Sequence, residues 1–237
     1  MKRLMLVVTM LAGTALATPA SAALFTSDEC GGGGCTGTGQ PGGFASITGV
    51  NNGNNSVTLT ITPLNGNGLV NGGQTTFSFN LIGNPTITYS GLPTGFTVVG
   101  GTGSGGLTQN AGSIHQAGLG NFEYGIDYSG ASGASNPIFT PISFTISDGA
   151  GFGLGSFAEL SVPNGQGGGN RSFFALDIIS PNAGGQTGLV DCCVGQPTPF
   201  DVNPVPGPVV GAGLPGLILA CGGMLALARR RRKQAAI

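Results

Sequence analysis

Stretches in which apolar side chains alternate with hydroxyl side chains dominate the middle of this chain. Residues 56–62 read Ser-Val-Thr-Leu-Thr-Ile-Thr, and residues 142–146 read Ile-Ser-Phe-Thr-Ile. Successive side chains of a β-strand point to opposite faces, so this period of two predicts antiparallel strands with one buried face and one polar face. Helices are disfavoured between residues 23 and 208, because no segment there keeps a period of 3.6 residues.

Glycine and asparagine separate the alternating segments. The chain has 47 glycines among 237 residues, and Asn-Gly sequences such as Asn65-Gly66 are typical of turns, because both residue types accept positive φ. The pattern predicts strands at 56–62, 76–81, 85–89, 95–99, 122–128, 138–147, 156–162 and 172–179. We therefore predict an all-β domain over 44–190, an antiparallel β-sandwich of jelly-roll or immunoglobulin-like kind. A β-solenoid is the alternative.

The two ends of the chain have the composition of targeting segments. Two basic residues precede an apolar run over 4–16, and the small residues Ala20 and Ala22 predict cleavage by signal peptidase after Ala22. At the other end, the uncharged run 209–228 is long enough to cross a bilayer as a helix, and five basic residues follow it. These basic residues predict a cytoplasmic C-terminus, a helix held in the inner membrane and an exported ectodomain.

The C-terminal segment resembles a known sorting signal. Val205-Pro206-Gly207-Pro208, the glycine-rich apolar span and the basic cluster resemble the C-terminal signal of PEP-CTERM proteins over residues 205–233. Gly207 stands where that family usually has Glu. The resemblance implies export by a Gram-negative bacterium and processing near Pro206, Gly207 and Pro208 by an exosortase, a membrane cysteine transpeptidase. It also implies association with exopolysaccharide and the biofilm matrix.

The cysteines predict disulfide bonds. Cys30 and Cys35 lie in a glycine-rich leader over 23–43, and Cys192 and Cys193 lie in a Cys/Pro linker over 191–204. Cysteines of exported chains meet an oxidising environment, in which they pair. Four cysteines allow three pairings. We favour links between the two clusters, and a local Cys30–Cys35 loop is the alternative.

The charge of the ectodomain is strongly one-sided. Between residues 28 and 201 there are nine acidic residues and one basic residue, Arg171, which gives a net charge of −8. Nucleic-acid binding is disfavoured, because contact with phosphates needs clusters of Lys and Arg. Charge-driven binding of an acidic polysaccharide is also disfavoured, unless a divalent cation bridges the two.

Few residues suggest catalysis. His115 is the only histidine, and no Gly-x-Ser-x-Gly sequence supports a Ser-His-Asp arrangement around it. Glu123 and Asp127 lie four residues apart, which on a strand is the same face, as in a glycosidase pair or a solvated polar face. Tyr124 and Tyr128 share the other face, where they either stack on sugars or belong to the core. We predict no catalytic residue and no cofactor.

Metal binding has little support in the sequence. Asp127, Asp148 and Asp177 could form a calcium site only if the fold brings them together, since the spacing of an EF-hand loop is absent. We therefore predict no metal ligands. Arg171 is expected to be solvated or to pair with an acid such as Asp177 or Glu159.

Three functions remain open for the exported domain. The first is a structural protein of the cell surface or extracellular matrix, held transiently or permanently by its C-terminal helix. The second is a secreted carbohydrate-binding module, which would need exposed aromatic residues in a chain that has no Trp. The third is an extracellular hydrolase. The predicted location is periplasmic, at the cell surface or extracellular.

Overall fold

The computed structural model describes residues 21–28, 42–99, 108–109, 111–130, 133–149, 151–163, 171–181, 184–192 and 199–200. All of them belong to the first of two units, Met1–Val202; the second, Asn203–Ile237, lies outside the described residues. The described elements are one 3₁₀ helix, Leu154–Phe157, and the strands β1 Ser21–Asp28, β2 Ala45–Asn51, β3 Ser56–Pro63, β4 Gly68–Asn71, β5 Phe77–Phe79, β6 Ile87–Ser90, β7 Phe96–Val99, β8 Thr108–Gln109, β9 Ile114–Gln116, β10 Gly120–Phe122, β11 Tyr124–Tyr128, β12 Gly133–Ile138, β13 Ile142–Ser147, β14 Phe174–Ser180 and β15 Gln186–Cys192.

Thirteen of these strands form one sheet. Its main path runs β7-β11-β5-β14-β15-β1-β2-β3-β13-β6-β8, and β4 branches from β14 to pair with β12. β9 and β10 form a separate two-stranded hairpin. Every strand pairing in the described part of the chain is antiparallel. The prediction of an all-β antiparallel domain is therefore confirmed, and the parallel coils of a solenoid are not seen.

Strand β1 lies in the middle of the sheet path. On one side it pairs with β2, from Ser21 opposite Gly49 to Phe25 opposite Ala45. On the other side it pairs with β15, where Phe25 lies opposite Cys192. β1 thus joins a first half of the sheet (β7, β11, β5, β14 and β15) to a second half (β2, β3, β13, β6 and β8). The prediction of a glycine-rich leader over 23–43 is wrong for its first six residues, which belong to β1.

The inward faces of the two halves meet in an aromatic core. Phe77 of β5, in the first half, packs against Phe144 of β13, in the second half, with 6.2 Å between the ring centroids. The Phe77 ring also lies 5.4 Å from that of Phe79 and 5.8 Å from that of Phe174. Because β5 and β13 are far apart along the path, the sheet has to curl for these rings to touch. The sheet therefore encloses its own core.

A buried glutamine joins the two ends of the sheet path. Gln109 of β8 donates from Nε2 to the backbone oxygen of Val99 in β7, and the Tyr89 hydroxyl donates to Gln109 Oε1 at 2.5 Å. Gln109 is fully buried and Tyr89 is 1% exposed. Burial raises the pKa of Tyr89 well above its ordinary value, so its hydroxyl keeps the proton that it donates. One side chain thus connects both edges of the curled sheet.

The β9–β10 hairpin covers the outer face of the first half. Gln116 of β9 donates from Nε2 to the Thr75 backbone oxygen at 2.9 Å and to Ser78 Oγ of β5 at 2.7 Å. Beneath the hairpin lies a small apolar cluster that is separate from the aromatic core and is formed by Ile114, Leu119, Phe122, Ala175 and Leu189. Covering on both faces explains why every residue of β14 except Ile179 is buried. The outer face of the second half has no such cover among the described residues.

Asparagine and glycine make the turns that the sequence predicts. Asn65 and Gly66 have φ values of 53° and 79°, the two positive values of a type I′ turn, and the Asn67 N–H donates to the Leu64 backbone oxygen at 2.9 Å. The turn leads from β3 to β4, which pair with other strands. The strand predicted at 156–162 is wrong, because the 3₁₀ helix Leu154–Phe157 begins that segment and only an isolated bridge joins Val162 to Asn121. β15 extends through Cys192, two residues into the predicted Cys/Pro linker.

Candidate functional site

The outer face of the second half is almost entirely hydroxylic. In its strands every second side chain points to the buried inner face, and the residues between them define the outer face. Of these outward residues Ser56, at 5% exposure, is also buried. Twelve of the thirteen outward positions are Ser or Thr, and none is charged. We call this surface the hydroxyl face; it consists of Ser46, Thr48, Val50, Ser56, Thr58, Thr60, Thr62, Thr88, Ser90, Thr108, Ser143, Thr145 and Ser147.

Strand register arranges these side chains in rows across the sheet. One row runs from Thr48 through Thr60 to Ser143. Within that row Thr60 Oγ1 donates to Ser143 Oγ at 3.1 Å. In the next row the hydroxyls of Thr58 and Thr145 lie 2.8 Å apart. These cross-strand hydrogen bonds hold the side chains in fixed rotamers, so the array is organised before anything binds to it.

An asparagine turn holds one end of the hydroxyl face. Asn52 Nδ2 donates to Ser56 Oγ at 3.1 Å and to Thr58 Oγ1 at 3.0 Å. The turn between β2 and β3 reverses through Gly53 and Asn55, with φ values of 76° and 56°. Positive φ is accessible to Gly and Asn at little cost, which explains these residues here. The turn thereby fixes the hydroxyls of Ser56 and Thr58 at this end of the face.

The chemistry of the hydroxyl face is that of a neutral partner. Each hydroxyl can donate one hydrogen bond and accept others, as the hydroxyls of a sugar also do. Ser and Thr are short, so fixing them costs little side-chain entropy. With no ionisable side chain at these thirteen positions, a polyanion or a polycation finds no opposite charge on this face. The arrangement suits contact with an uncharged, hydroxyl-rich polymer.

Two carboxylates on the first half hold the loop between β4 and β5 in place. We call this loop, residues 72–76, the clamped loop. Asp177 Oδ2 accepts from the Gly72 backbone N–H at 2.6 Å. Asp127 Oδ2 accepts from Asn71 Nδ2 at 2.7 Å, and its Oδ1 accepts from Thr76 Oγ1 at 3.0 Å. A Cβ atom at Gly72 would lie 3.0 Å from Asp177 Oδ2, closer than such atoms normally approach. Glycine at this position therefore allows the loop backbone to reach the carboxylate.

The Asp177 carboxyl has an unusual proton affinity. Burial raises its pKa from 3.8 to about 7, and the negative charge of Asp127 also raises it. Hydrogen bonds from the backbone N–H groups of Gly72 and Gln74 act in the opposite direction and favour the ionised form. Asp177 is 1% exposed. Near neutral pH this carboxyl is therefore balanced between its two protonation states.

The structure brings together two of the three acids considered for a calcium site. Asp127 and Asp177 share the clamped loop, whereas the Asp148 backbone N–H donates to Asn55 O, at the turn between β2 and β3. No group of three metal-ligating residues lies close enough to hold a metal ion within the described ranges. The two carboxylates are occupied by N–H and hydroxyl donors of the loop, so their observed role is to fix that loop.

Glu123 and Asp127 do not form a matched pair on one strand face. Glu123 lies in the bend between β10 and β11, before the alternation of β11 begins at Tyr124. Burial, and then the charge of Glu159, raise the pKa of Glu123, while hydrogen bonds from the Asn84 side chain and the Leu81 backbone lower it. Asp127 is held by the clamped loop instead. The two carboxyl groups therefore have separate hydrogen-bond partners.

The other residues considered for catalysis or binding make packing or hydrogen-bond contacts with the rest of the fold. Tyr124 is fully buried and stacks on Phe79 at 5.5 Å, which assigns it to the core. His115 is exposed on β9, with Nδ1 3.4 Å from Asn121 Oδ1. Arg171 is exposed and donates from Nε to the Ser161 backbone oxygen at 3.1 Å.

Tyr128 is partly buried and packs against the core, with 5.2 Å between its ring centroid and that of Phe96. Phe139, at 58% exposure, is the exposed aromatic residue of the described ranges. A single such ring is not a platform on which several sugar units could stack. The surface that the structure assembles is therefore hydroxylic and not aromatic.

Of the predicted processing and disulfide residues, only Ala22 and Cys192 lie within the described ranges. Ala22 lies in β1, opposite Thr48. Cys192 is fully buried at the end of β15 and is disulfide-bonded; its partner lies outside the described residues, so the pairing stays a prediction. Further predicted residues also lie outside the described ranges, namely Ala20, Cys30, Cys35, Cys193, Pro206, Gly207, Pro208 and the span 209–228. None of the helices that the structure describes is long and apolar enough to cross a membrane.

The Asp177 pKa predicts a pH-dependent stability. Because the folded-state pKa of about 7 exceeds the ordinary value of 3.8, the folded protein keeps a proton that the unfolded chain loses near pH 4. The free energy of unfolding should therefore fall as pH rises from about 4 to about 7 and level off above, by at most about 4 kcal/mol. Denaturant titrations across this range should show the fall in the wild type.

The variant Asp177→Asn keeps an acceptor for Gly72 but cannot titrate, so most of this fall should disappear. The control Asp148→Asn leaves Asp177 intact and should retain it. An unchanged fall in Asp177→Asn would assign the pH dependence to other groups.

Compared with known proteins, the chain matches no protein-family model, no curated protein and no solved structure.

Proposed function

We propose that this chain is an exported structural protein of the cell surface or extracellular matrix, and that its hydroxyl face contacts neutral polysaccharide. The observation that carries the proposal is the composition of that face: twelve of thirteen outward positions on five neighbouring strands are Ser or Thr, and none is charged. Many weak hydrogen bonds on an extended polymer add up through multivalency. Broad, low-affinity adhesion of this kind suits a matrix component.

The targeting segments support the location in this proposal. We propose removal of residues 1–22 by signal peptidase and processing of the PEP-CTERM-like signal near Pro206 by an exosortase-like enzyme. Until then the span 209–228 anchors the chain in the inner membrane. The first and second halves of the curled sheet, packed on a shared aromatic core, support a β-sandwich of jelly-roll or immunoglobulin-like kind.

The two alternatives have less support. A carbohydrate-binding module that grips sugars by stacking needs several exposed rings, and Phe139 is the exposed aromatic residue of the described ranges. A hydrolase needs convergent catalytic groups. Glu123 and Asp127 have separate surroundings, because Glu123 is bonded by Asn84 and Leu81 and Asp127 by Asn71 and Thr76. A protein whose hydroxyl face binds polysaccharide without catalysis accounts better for the arrangement of these residues.

The hydroxyl face should determine retention by neutral polysaccharide. In native gels containing dextran, agarose, galactomannan or a soluble β-glucan, the mature protein should be retarded by at least one polymer, and added salt should not abolish the effect. The double variant Thr58→Val with Thr60→Val keeps the shape of both side chains but removes their hydroxyls. Loss of two hydrogen bonds should weaken this retention about tenfold.

A matched control is Thr94→Val with Thr97→Val, since both threonines are exposed and lie outside the hydroxyl face. This control should migrate like the wild type, and thermal unfolding should show that both double variants are folded. Migration unaffected by all four neutral polymers would contradict the proposal. So would retardation by the polyanion alginate alone.

The ends of the mature protein test the proposed processing. Intact-mass and terminal-peptide mass spectrometry of protein recovered from cells and medium should give an N-terminus at Ala23 and a C-terminus near Pro206. The small residues before Ala23 and the proline motif before the apolar span are the physical basis of this expectation. A C-terminus that still contains the basic cluster 229–233 would instead indicate a permanently anchored single-span protein.

A further inference from the structure

Two rows of the hydroxyl face each cross four neighbouring strands. The first, which we call the Thr58 row, crosses β2, β3, β13 and β6; the second, the Ser147 row, crosses β3, β13, β6 and β8. The row that contains Thr60 has hydroxyls on three strands, and Ser46 and Thr62 form a row of two. The members of the two long rows are Val50, Thr58, Thr145 and Ser90, and Ser56, Ser147, Thr88 and Thr108.

The two long rows form a grid with two spacings. Neighbouring strands lie about 4.8 Å apart, so the side chains within a row repeat at that distance. The rows are two residues apart along each strand, which is about 6.8 Å. Hydrogen bonds hold part of the grid in place, since the Thr58 and Thr145 hydroxyls lie 2.8 Å apart and Asn52 Nδ2 donates to Thr58 Oγ1 at 3.0 Å. A ligand with a regular repeat therefore meets an ordered array.

The repeat within a row is close to that of one class of neutral polysaccharide. In a β-1,4-linked chain of glucose or mannose both bonds of each linkage are equatorial, so the chain is an extended ribbon that advances by nearly one strand spacing per sugar. Chains of α-linked glucose bend or coil and do not keep this repeat along a surface. The ribbon has hydroxyls along its edges and C–H groups on its ring faces. Lying flat between the two long rows, it would offer hydroxyls to both rows and C–H groups to the methyl groups of Thr and Val50.

The twist of the sheet favours dissolved chains over crystalline ones. Neighbouring strands of a sheet are rotated by about 20–25° on average, and this sheet also curls, because Phe77 and Phe144 touch across its core. A ribbon that follows a row has to twist with it. A single chain in solution turns about its glycosidic bonds, whereas neighbouring chains hold a ribbon flat inside a crystalline fibre.

We propose that the hydroxyl face binds a single twisted chain of a neutral β-1,4-linked glycan, which lies across the strands between the Thr58 row and the Ser147 row with one sugar on each strand. Uronic-acid polymers are disfavoured, because residues 28–201 contain nine acidic residues and one basic residue. This inference rests on the proposed contact with neutral polysaccharide, and it adds the linkage and the orientation of the chain.

Glucose tetrasaccharides that differ only in linkage test the proposal. Amide chemical shifts of the labelled mature protein should respond to cellotetraose (β-1,4) in β3, β13 and β6, and those of β9 and β10 should stay unchanged. Cellotetraose should bind at least about tenfold more tightly than maltotetraose (α-1,4), laminaritetraose (β-1,3) or the disaccharide cellobiose, because each of these loses at least two hydrogen-bonded positions. Microcrystalline cellulose should not retain the protein.

A nitroxide label on the reducing end of cellotetraose tests the orientation. If the chain crosses the strands, the label broadens amides at one end of the rows, near Val50 of β2 or near Thr108 of β8. Broadening centred on Thr62 or on Ser147 would instead place the chain along the strands and overturn the proposed orientation.

The double variant Thr145→Val with Thr88→Val removes one hydroxyl from each long row and should weaken cellotetraose binding about tenfold. Its matched control, Ser46→Ala with Thr62→Val, removes two hydroxyls of the same face outside both rows and should bind as the wild type does. Thermal unfolding should show that both variants are folded. Equal loss of binding in the two variants would contradict the assignment to these rows.

The remaining outcomes separate this inference from the proposed function. Equal affinity for the three tetrasaccharides, or no response to cellotetraose by a protein that neutral polymers still retard in native gels, would overturn the inference and leave the proposed function intact. No response to the tetrasaccharides together with no retardation by any neutral polymer would contradict both.

Discussion

Contact between aromatic rings of the two sheet halves is the interaction on which the fold depends. Phe77 lies at its centre, touching Phe144 of the second half and Phe79 and Phe174 of the first. Each buried ring removes a large apolar area from water, and truncation of such a residue typically costs about 3–5 kcal/mol. A chain with 7% charged residues has few ion pairs to draw on. The curled sheet is therefore held mainly by this core, by its ladders of hydrogen bonds and by Gln109.

The two halves of the sheet share one aromatic core, but their outer faces differ. On the first half, the β9–β10 hairpin covers the sheet, and Asp127 and Asp177 accept hydrogen bonds from N–H and hydroxyl donors that hold the clamped loop. On the second half, twelve of the thirteen outward positions are Ser or Thr. Acidic groups are thus used internally to fix backbone. Within the described ranges, the hydroxyl face is a neutral surface that is available to a partner, and this connects the fold with the proposed matrix role.

The sequence pattern predicts those strands and turns whose formation depends on a few neighbouring residues. The alternation at 56–62 and 142–146 identifies β3 and β13, and Asn65-Gly66 identifies a turn, because side-chain period and positive φ are properties of a few neighbouring residues. The hydroxyl side of each strand is visible in the same way. That these strands are neighbours, and that their hydroxyls form one surface, depends on register between distant segments. No single segment of the sequence contains that information.

Other features depend on tertiary contacts that override local composition. Residues 23–28 precede a glycine-rich stretch, yet they form β1 because β2 and β15 offer edges on both sides. The segment 156–162 has an apolar pattern, but Phe157 enters the core from a 3₁₀ helix, where it contacts Phe79 and Phe174. Gln109 looks like an ordinary loop residue in the sequence. Its role appears only when the two ends of the path come together.

Closure of the sheet around the aromatic core is the central claim, and nuclear Overhauser contacts in the mature protein test it most directly. With selectively labelled Phe, the ring protons of Phe77 and Phe144 should show a cross-peak, since their centroids lie 6.2 Å apart. The Gln109 side-chain amide should show contacts to Val99, its hydrogen-bond partner. Contacts within each half but none between Phe77 and Phe144 would mean that the sheet is open, and they would contradict the account.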